Sequence, residues 1–194
     1  MGIQLNSHLN ILHLKRRQDR YDNLMKQLAS NNITHYTIWE GYDEPKNVKQ
    51  AISKGHRHII GLAREQGLKN CIIAEDDVCF THPNSYQYFL DQTPDDYDLF
   101  FGLVYSGNVN EENRVTTGMS GIMTLYNIHN RFYDFFLNQP DDQHIDRGLG
   151  NFCHLYKFYV VPKYCVYQLG GYSDNLKRKM WYDVYLDGKE LYKG

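Results

Sequence analysis

Four apolar residues, Cys71-Ile72-Ile73-Ala74, run straight into three carboxylates, Glu75-Asp76-Asp77, and this junction limits the possible folds more than any other stretch. The length and β-branching of the apolar run suit a strand buried on both faces, as in parallel sheets covered by helices. Three like charges at the end of such a strand repel one another and are costly to desolvate unless a cation joins them. Side chains two apart on an extended backbone point the same way, so Glu75 and Asp77 can share one oxygen-rich site. A hard divalent ion, Mg²⁺ or Mn²⁺, suits that site and leaves room for substrate phosphates. The plain alternative is a solvated acidic strand end that opens a loop.

The flanking sequence sets this strand in a repeating order. Leu9, Ile11, Leu12 and Leu14 make a first strand that ends in Lys15, Arg16, Arg17 and Arg20. Asp19 is a candidate N-cap for a helix with Tyr21, Leu24, Met25 and Leu28 at helical spacing. Tyr36, Ile38 and Trp39 form a second strand, and the turn-like 40–45 follows it. A longer helical region spans about 46–66, with Gly55 a possible kink and Gly67 a stop. This β-α-β-α-β order predicts an α/β fold, a mostly parallel sheet with helices on both faces. Ligands of such sheets bind beyond the carboxyl ends of the strands, where both the basic and the acidic clusters fall.

The second half is less regular. Strands are expected at 97–104 and from Gly121 to Tyr126, separated by a polar, mobile loop at 106–114. Asn127 is expected to cap a helix carrying Ile128, Phe132, Phe135 and Phe136. Ile145 to Tyr156 keeps helical spacing, and 158–161 and 164–168 are short strand candidates. The reading is one domain over 1–175 with a Lys- and Tyr-rich tail, 176–194, packed on it or extending from it.

Composition narrows the function classes. A net charge of −2 gives no electrostatic case for nucleic acid. No apolar stretch approaches the ~20 residues of a membrane span, and Met1 to Asn10 lacks a signal peptide's apolar core. Four cysteines without Cys-x-x-Cys spacing read as reduced, buried thiols. A cytoplasmic protein is the default. The basic, aromatic tail (Lys177, Arg178, Lys179, Trp181, Tyr182) leaves room for peripheral contact with the inner face of a membrane.

Individual residues carry the chemistry with differing force. Arg16, Arg17 and Arg20 can grip a diphosphate bidentately, or simply solvate a helix start. His56 and His58 lie two apart on a helix and so on different faces, and a histidine there is more often structural than catalytic. Asp146 opens the Ile145 helix, where the dipole already favours it. It can also act as a general base if the fold brings it to the acidic edge.

Several of these stretches together resemble glycosyltransferase family 25. The resemblance rests on Leu14-Lys15-Arg16 and Asp19-Arg20 after a first strand, Glu40-Gly41 after a second, His56 ahead of a helix, and then Ile72 to Val78 with the acidic triplet. Thr117-Gly118, Asp146 in Ile-Asp-Arg-Gly-Leu, Pro162, Gln168 and Ser173-Asp174 follow in the family's order. That resemblance implies a GT-A fold and transfer of a sugar, often galactose from a uridine diphosphate donor, to a glycan or glycoconjugate hydroxyl. It implies a metal site for Mn²⁺ or Mg²⁺ at Glu75-Asp76-Asp77, with Asp77 foremost. It places Arg16, Arg20, Glu40, Gly41, His56, Gln168 and Ser173 about the nucleotide sugar and Asp146 as the base of an inverting displacement.

Two other readings compete. A nucleotidyl- or phosphotransferase can use the same acidic edge, although the chain has no Gly-x-x-x-x-Gly-Lys loop. A non-catalytic module can keep the fold and bind a glycan or a partner protein.

Overall fold

The computed structural model describes residues 6–120 and 122–194, with the side chains of Met119 and Ser120 also outside the description. Twelve strands and five α-helices follow in the order β1 (Leu9–His13), α1 (Gln18–Ser30), β2 (Tyr36–Glu40), α2 (Val48–Glu65), β3 (Asn70–Glu75), β4 (Val78–Phe80), α3 (Ser85–Asp91), β5 (Leu99–Phe101), β6 (Ser106–Val109), β7 (Val115–Ser120), β8 (Leu125–His129), α4 (Tyr133–Leu137), α5 (Ile145–Gly150), β9 (Phe158–Val160), β10 (Val166–Gln168), β11 (Gly171–Ser173) and β12 (Arg178–Met180).

Six strands form the central sheet in the order β2-β1-β3-β8-β5-β9. All run parallel except β8, which lies antiparallel between β3 and β5. From β1 the chain steps outward to β2 and then back past β1 to β3. Because both crossovers are right-handed by the usual rule, α1 and α2 fall on opposite faces. Helix α2 shares its face with α4, where the buried His56 of α2 meets Tyr126 of β8 and the Tyr126 ring stacks on Phe136 of α4. On the other face, Phe89 of α3 stacks on Phe100 of β5 at 5.0 Å. The reversal between β1 and β3 is a topological switch point, which opens a crevice at the carboxyl ends of those strands.

Local sequence explains the first half. Leu24 and Leu28 are the buried stripe of α1. Its cap differs from expectation: Arg17 occupies the N-cap, and Asp19 sits in the first turn, where it pairs with Arg17 instead of capping. Helix α2 is capped by the Asn47 side chain, which accepts from the Gln50 amide, and it runs unbroken through Gly55. A Cβ at Gly55 would lie 2.7 Å from both Leu12 methyls, so glycine lets α2 press close to β1. Gly67 ends the helical region with a φ of +66°.

The second half corrects several expectations. The 106–114 segment is not simply a loop but contains β6, which pairs with β7 in a bulged hairpin. Its tip is fixed by the Asn110 side chain, which accepts from the Glu112 and Arg114 amides. The strand near 97–104 is confined to Leu99–Phe101. The strand anticipated from Gly121 runs instead over Leu125–His129, and Gly121 itself lies outside the described residues. Asn127 is therefore a strand residue, buried and accepting from the Asn70 amide at 3.0 Å; His129 caps the following turn. Helix α5 stops at Gly150, short of the expected Tyr156. Residues 176–194 fold back: β12 pairs with β11, and Tyr192 stacks on Tyr88 at 4.0 Å. The four cysteines are free and buried. Among the described residues no helix is long and apolar enough to cross a membrane.

Candidate functional site

The carboxyl ends of β1 and β3 meet directly, with the Asp76 amide donating to the Leu12 carbonyl at 3.1 Å. This contact draws the basic turn after β1 against the acidic triplet after β3. Asp76 turns inward. Its Oδ2 accepts from His13 Nδ1 at 2.8 Å and from the Leu14 amide at 3.3 Å, and its Oδ1 accepts from Arg20 Nη1 at 2.7 Å. Burial alone would raise the Asp76 pKa, but His13 and Arg20 outweigh it and hold the carboxyl below its ordinary value.

Asp77 has the opposite environment. It is 3% exposed, with Oδ2 3.3 Å from Arg20 Nη1. Its Oδ1 is buried and accepts no hydrogen bond. Burial, reinforced by the charges of Glu75 and Asp76 and only partly offset by Arg20 and Gln168, pushes its pKa up to about 7. The Asp77 carbonyl accepts from the Leu169 amide at 2.7 Å, which ties the triplet to the end of β10. Glu75 is partly exposed and approached from behind by His56 Nε2 at 3.4 Å.

These acids line a cavity of about 340 Å³. Of the residues anticipated from sequence, Arg16, Arg20, Gly41, Gln168, Ser173 and Asp146 line it together with Glu75, Asp76 and Asp77. Two do not. His56 is fully buried between Tyr126 and Glu75, so it supports an acid instead of facing a nucleotide. Glu40 ends β2 exposed to solvent, while its neighbour Gly41 faces the cavity. Asp146 lies in the first turn of α5, and its Oδ1 accepts from the Arg147 amide at 2.8 Å.

The arginines are already engaged. Arg16 bridges Asp43 at 2.7 Å and Asp174 at 2.8 Å. Arg17, mostly buried, holds Asp19 and Asp174 and donates to the Tyr172 carbonyl. Among the described residues no group of three or more His, Cys, Asp or Glu side chains is arranged to hold a metal. Within the triplet both Asp76 oxygens are engaged by His13, Leu14 and Arg20, whereas Asp77 keeps an oxygen with no hydrogen-bond partner and Glu75 is partly exposed.

The far wall contains residues that sequence reasoning missed. Tyr105 stacks on Tyr182 at 5.8 Å and contacts Tyr185 at 5.5 Å. The Tyr105 hydroxyl accepts from the Gln168 amide at 2.9 Å, which fixes the ring. Burial first, and then the Asp77 charge, raises the Tyr182 pKa, so this ring stands close to the acids. The surplus of tail tyrosines is the one sequence signal that could have found this wall.

No protein-family model matches the chain, and no curated protein matches it. Similarity to solved structures is extensive. A Drosophila β-1,4-galactosyltransferase 7 mutant, in complex with manganese, UDP-Gal and xylobiose, aligns over 96% of this chain and 81% of its own, with TM-score 0.56 and 7% identity. A197 from STIV aligns over 90% of this chain and 93% of its own, with TM-score 0.53 and 13% identity. A glycosyltransferase involved in glycosylation of the major capsid of PBCV-1 aligns over 79% and 81%, with TM-score 0.49 and 11% identity. None of these matches singles out family 25. At such identities the likeness is one of architecture alone, and that architecture is the GT-A fold.

Proposed function

We propose that the chain is a metal-dependent glycosyltransferase that moves a hexosyl group, galactose from a uridine diphosphate donor, to a hydroxyl of a glycan acceptor with inversion. The carrying observation is the buried, partnerless Oδ1 of Asp77 at the switch point of this fold. An ionised carboxylate left that way is unfavourable, and a divalent cation remedies it. Asp77 with Glu75 would hold Mn²⁺ or Mg²⁺, and the bound ion would neutralise charge on the diphosphate.

The chain's own groups divide the remaining work. Arg20 anchors the acids through Asp76 and Asp77, and Arg16 at the rim meets phosphate oxygens when Asp43 or Asp174 yields to them. The fixed Tyr105 and Tyr182 rings offer an apolar wall to a sugar or base face. Asp146 accepts the acceptor hydroxyl's proton as that oxygen attacks the anomeric carbon and the bond to the diphosphate breaks. His13 and His56 orient carboxylates and stay out of the chemistry.

A second reading, a non-catalytic binding module with this fold, is favoured by the mutual neutralisation of Arg16 and Arg20 with Asp43, Asp174, Asp76 and Asp77. Thermal shift with uridine sugars, with Mn²⁺ and with chelator, tests both. A ligand at ~100 times its Kd stabilises by roughly 2.7 kcal/mol. A shift that needs Mn²⁺ and vanishes in Asp77→Ala supports the enzyme. A folded protein that no nucleotide sugar shifts supports the module.

A further inference from the structure

Exposed apolar side chains concentrate in one segment at the cavity mouth, two of them, Leu176 and Tyr185, also lining the cavity. Of the seven large hydrophobic residues that are exposed among those described, five fall within 172–185: Trp181 is 64% exposed, Val184 66%, and Tyr172, Leu176 and Tyr185 between 43 and 50%. The β11–β12 hairpin explains how some of them come to face outward. Gly171 pairs with Met180 and Tyr172 with Lys179. Side chains alternate along each strand, so Met180 and Ser173 turn inward, both buried and lining the cavity. Tyr172 and Lys179 take the opposite face, and Trp181 joins them, its ring lying over Gly170. That face is aromatic, basic and solvated.

The segment's charge is mixed but net positive, with Lys177, Arg178 and Lys179 set against Asp174 and Asp183 within 172–185. Lys177 and Lys179 are exposed, as is Arg178, which its register with Ser173 sets on the other face of the hairpin, and Lys177 takes a left-handed φ of +52° at the hairpin tip. Asp174, the acid at the root of the hairpin, is already held by Arg16 and Arg17. Asp183 and Asp187 are the exposed acids nearby in sequence, on the turn that follows. Exposed Trp and Tyr, aliphatic Leu and Val, and a short basic run are the combination that seats a protein in the headgroup layer of an anionic bilayer. Aromatic rings alone would also suit a glycan, but Val184, which does not line the cavity, gains nothing from a sugar and does gain from acyl chains.

We propose that the hairpin and turn over 172–185 form a peripheral contact for an anionic lipid surface, holding the mouth of the cavity beside the bilayer. Because the chain carries net charge −2, attraction must come from this local patch, and it must be salt-sensitive. Such a contact is a matter of binding alone and does not depend on any transfer reaction.

The test is sedimentation of the full chain with vesicles of phosphatidylcholine, with and without about a third phosphatidylserine. Association only with the anionic vesicles, reversed at roughly 0.5 M salt, is expected. Reversing Lys177, Arg178 and Lys179 to Glu should cut the partition more than about ten-fold. A Trp39→Phe variant leaves Trp181 as the sole tryptophan, and its emission should shift to the blue on anionic vesicles. Equal sedimentation of the charge-reversed protein, or binding to a soluble glycan with none to vesicles, would overturn the proposal. Since charge reversal can disturb the hairpin, Val184→Ser at an exposed position is the second variant. It should also weaken binding, and unchanged partition in both variants rejects the surface.

Discussion

Arg20 Nη1 stands 3.3 Å from Asp77 Oδ2, yet the same nitrogen is 2.7 Å from Asp76 Oδ1, so one guanidinium answers two buried carboxylates and favours Asp76. Asp77 is left undercompensated, with its pKa pushed up to about 7 by burial and its acidic neighbours. A carboxyl with a raised folded pKa costs nothing while protonated in both states, below about pH 4. The penalty grows as pH rises from there through about 7. Asp77→Asn in chelator should therefore be more stable than the parent at pH 8, with the gap closing toward pH 4. Thermal midpoints across that range check the sign. A gap that widens toward acid would contradict the environment described for Asp77.

If Asp146 accepts the acceptor's proton, Asp146→Asn should lower turnover by about 10²–10⁴-fold. Affinity for the donor should hardly change. Steady-state rates paired with donor titrations separate the two quantities, and a loss confined to donor affinity would assign Asp146 to binding.

Close packing of α2 on β1 should be measurable at Gly55. A larger side chain there meets both Leu12 methyls at 2.7 Å. Gly55→Leu should cost about 1–3 kcal/mol through overpacking. Combining it with Leu12→Ala should recover part of that, giving a coupling of about 0.5–3 kcal/mol in denaturant melts. Strict additivity would show that the two residues do not share the space.

Asp174 ties the root of the tail hairpin to Arg16 and Arg17, and these hydrogen bonds, outweighing burial, hold its carboxyl below the ordinary value. Such a carboxylate stabilises above its unfolded pKa, and that contribution fades as pH falls toward the folded one. Asp174→Asn should loosen the hairpin at neutral pH. Faster tryptic cleavage at Lys177, Arg178 or Lys179 is the expected sign, against an unchanged pattern in the sheet.

How much of this was legible in the sequence depends on how local each determinant is. The β1-α1-β2-α2-β3 half was readable because Leu24 and Leu28, or Ile72 and Ile73, declare their periods within a few residues. Strand β8 was not. Asn127 looks like a cap in isolation, and only Asn70, far away in sequence, makes it a tolerable strand residue. In the site, the acids and arginines were visible, but not which acid each arginine would take. The triplet reads as three equivalent ligands, whereas His13 and Arg20 claim the middle one. The tyrosine wall was hidden for the same reason, since Tyr105 and Tyr182 meet only after the chain has folded.

The tie between the Asp77 carbonyl and the Leu169 amide has a consequence for how the molecule is made. The acids leave the ribosome before the strand and tail tyrosines that close over them. Until then the nascent chain carries a charged, solvated cleft that any cation can enter and leave. Late closure by distant segments is slow relative to local helix formation. The cleft is therefore a late, long-range product of folding, built from segments that no local helix or hairpin can bring together.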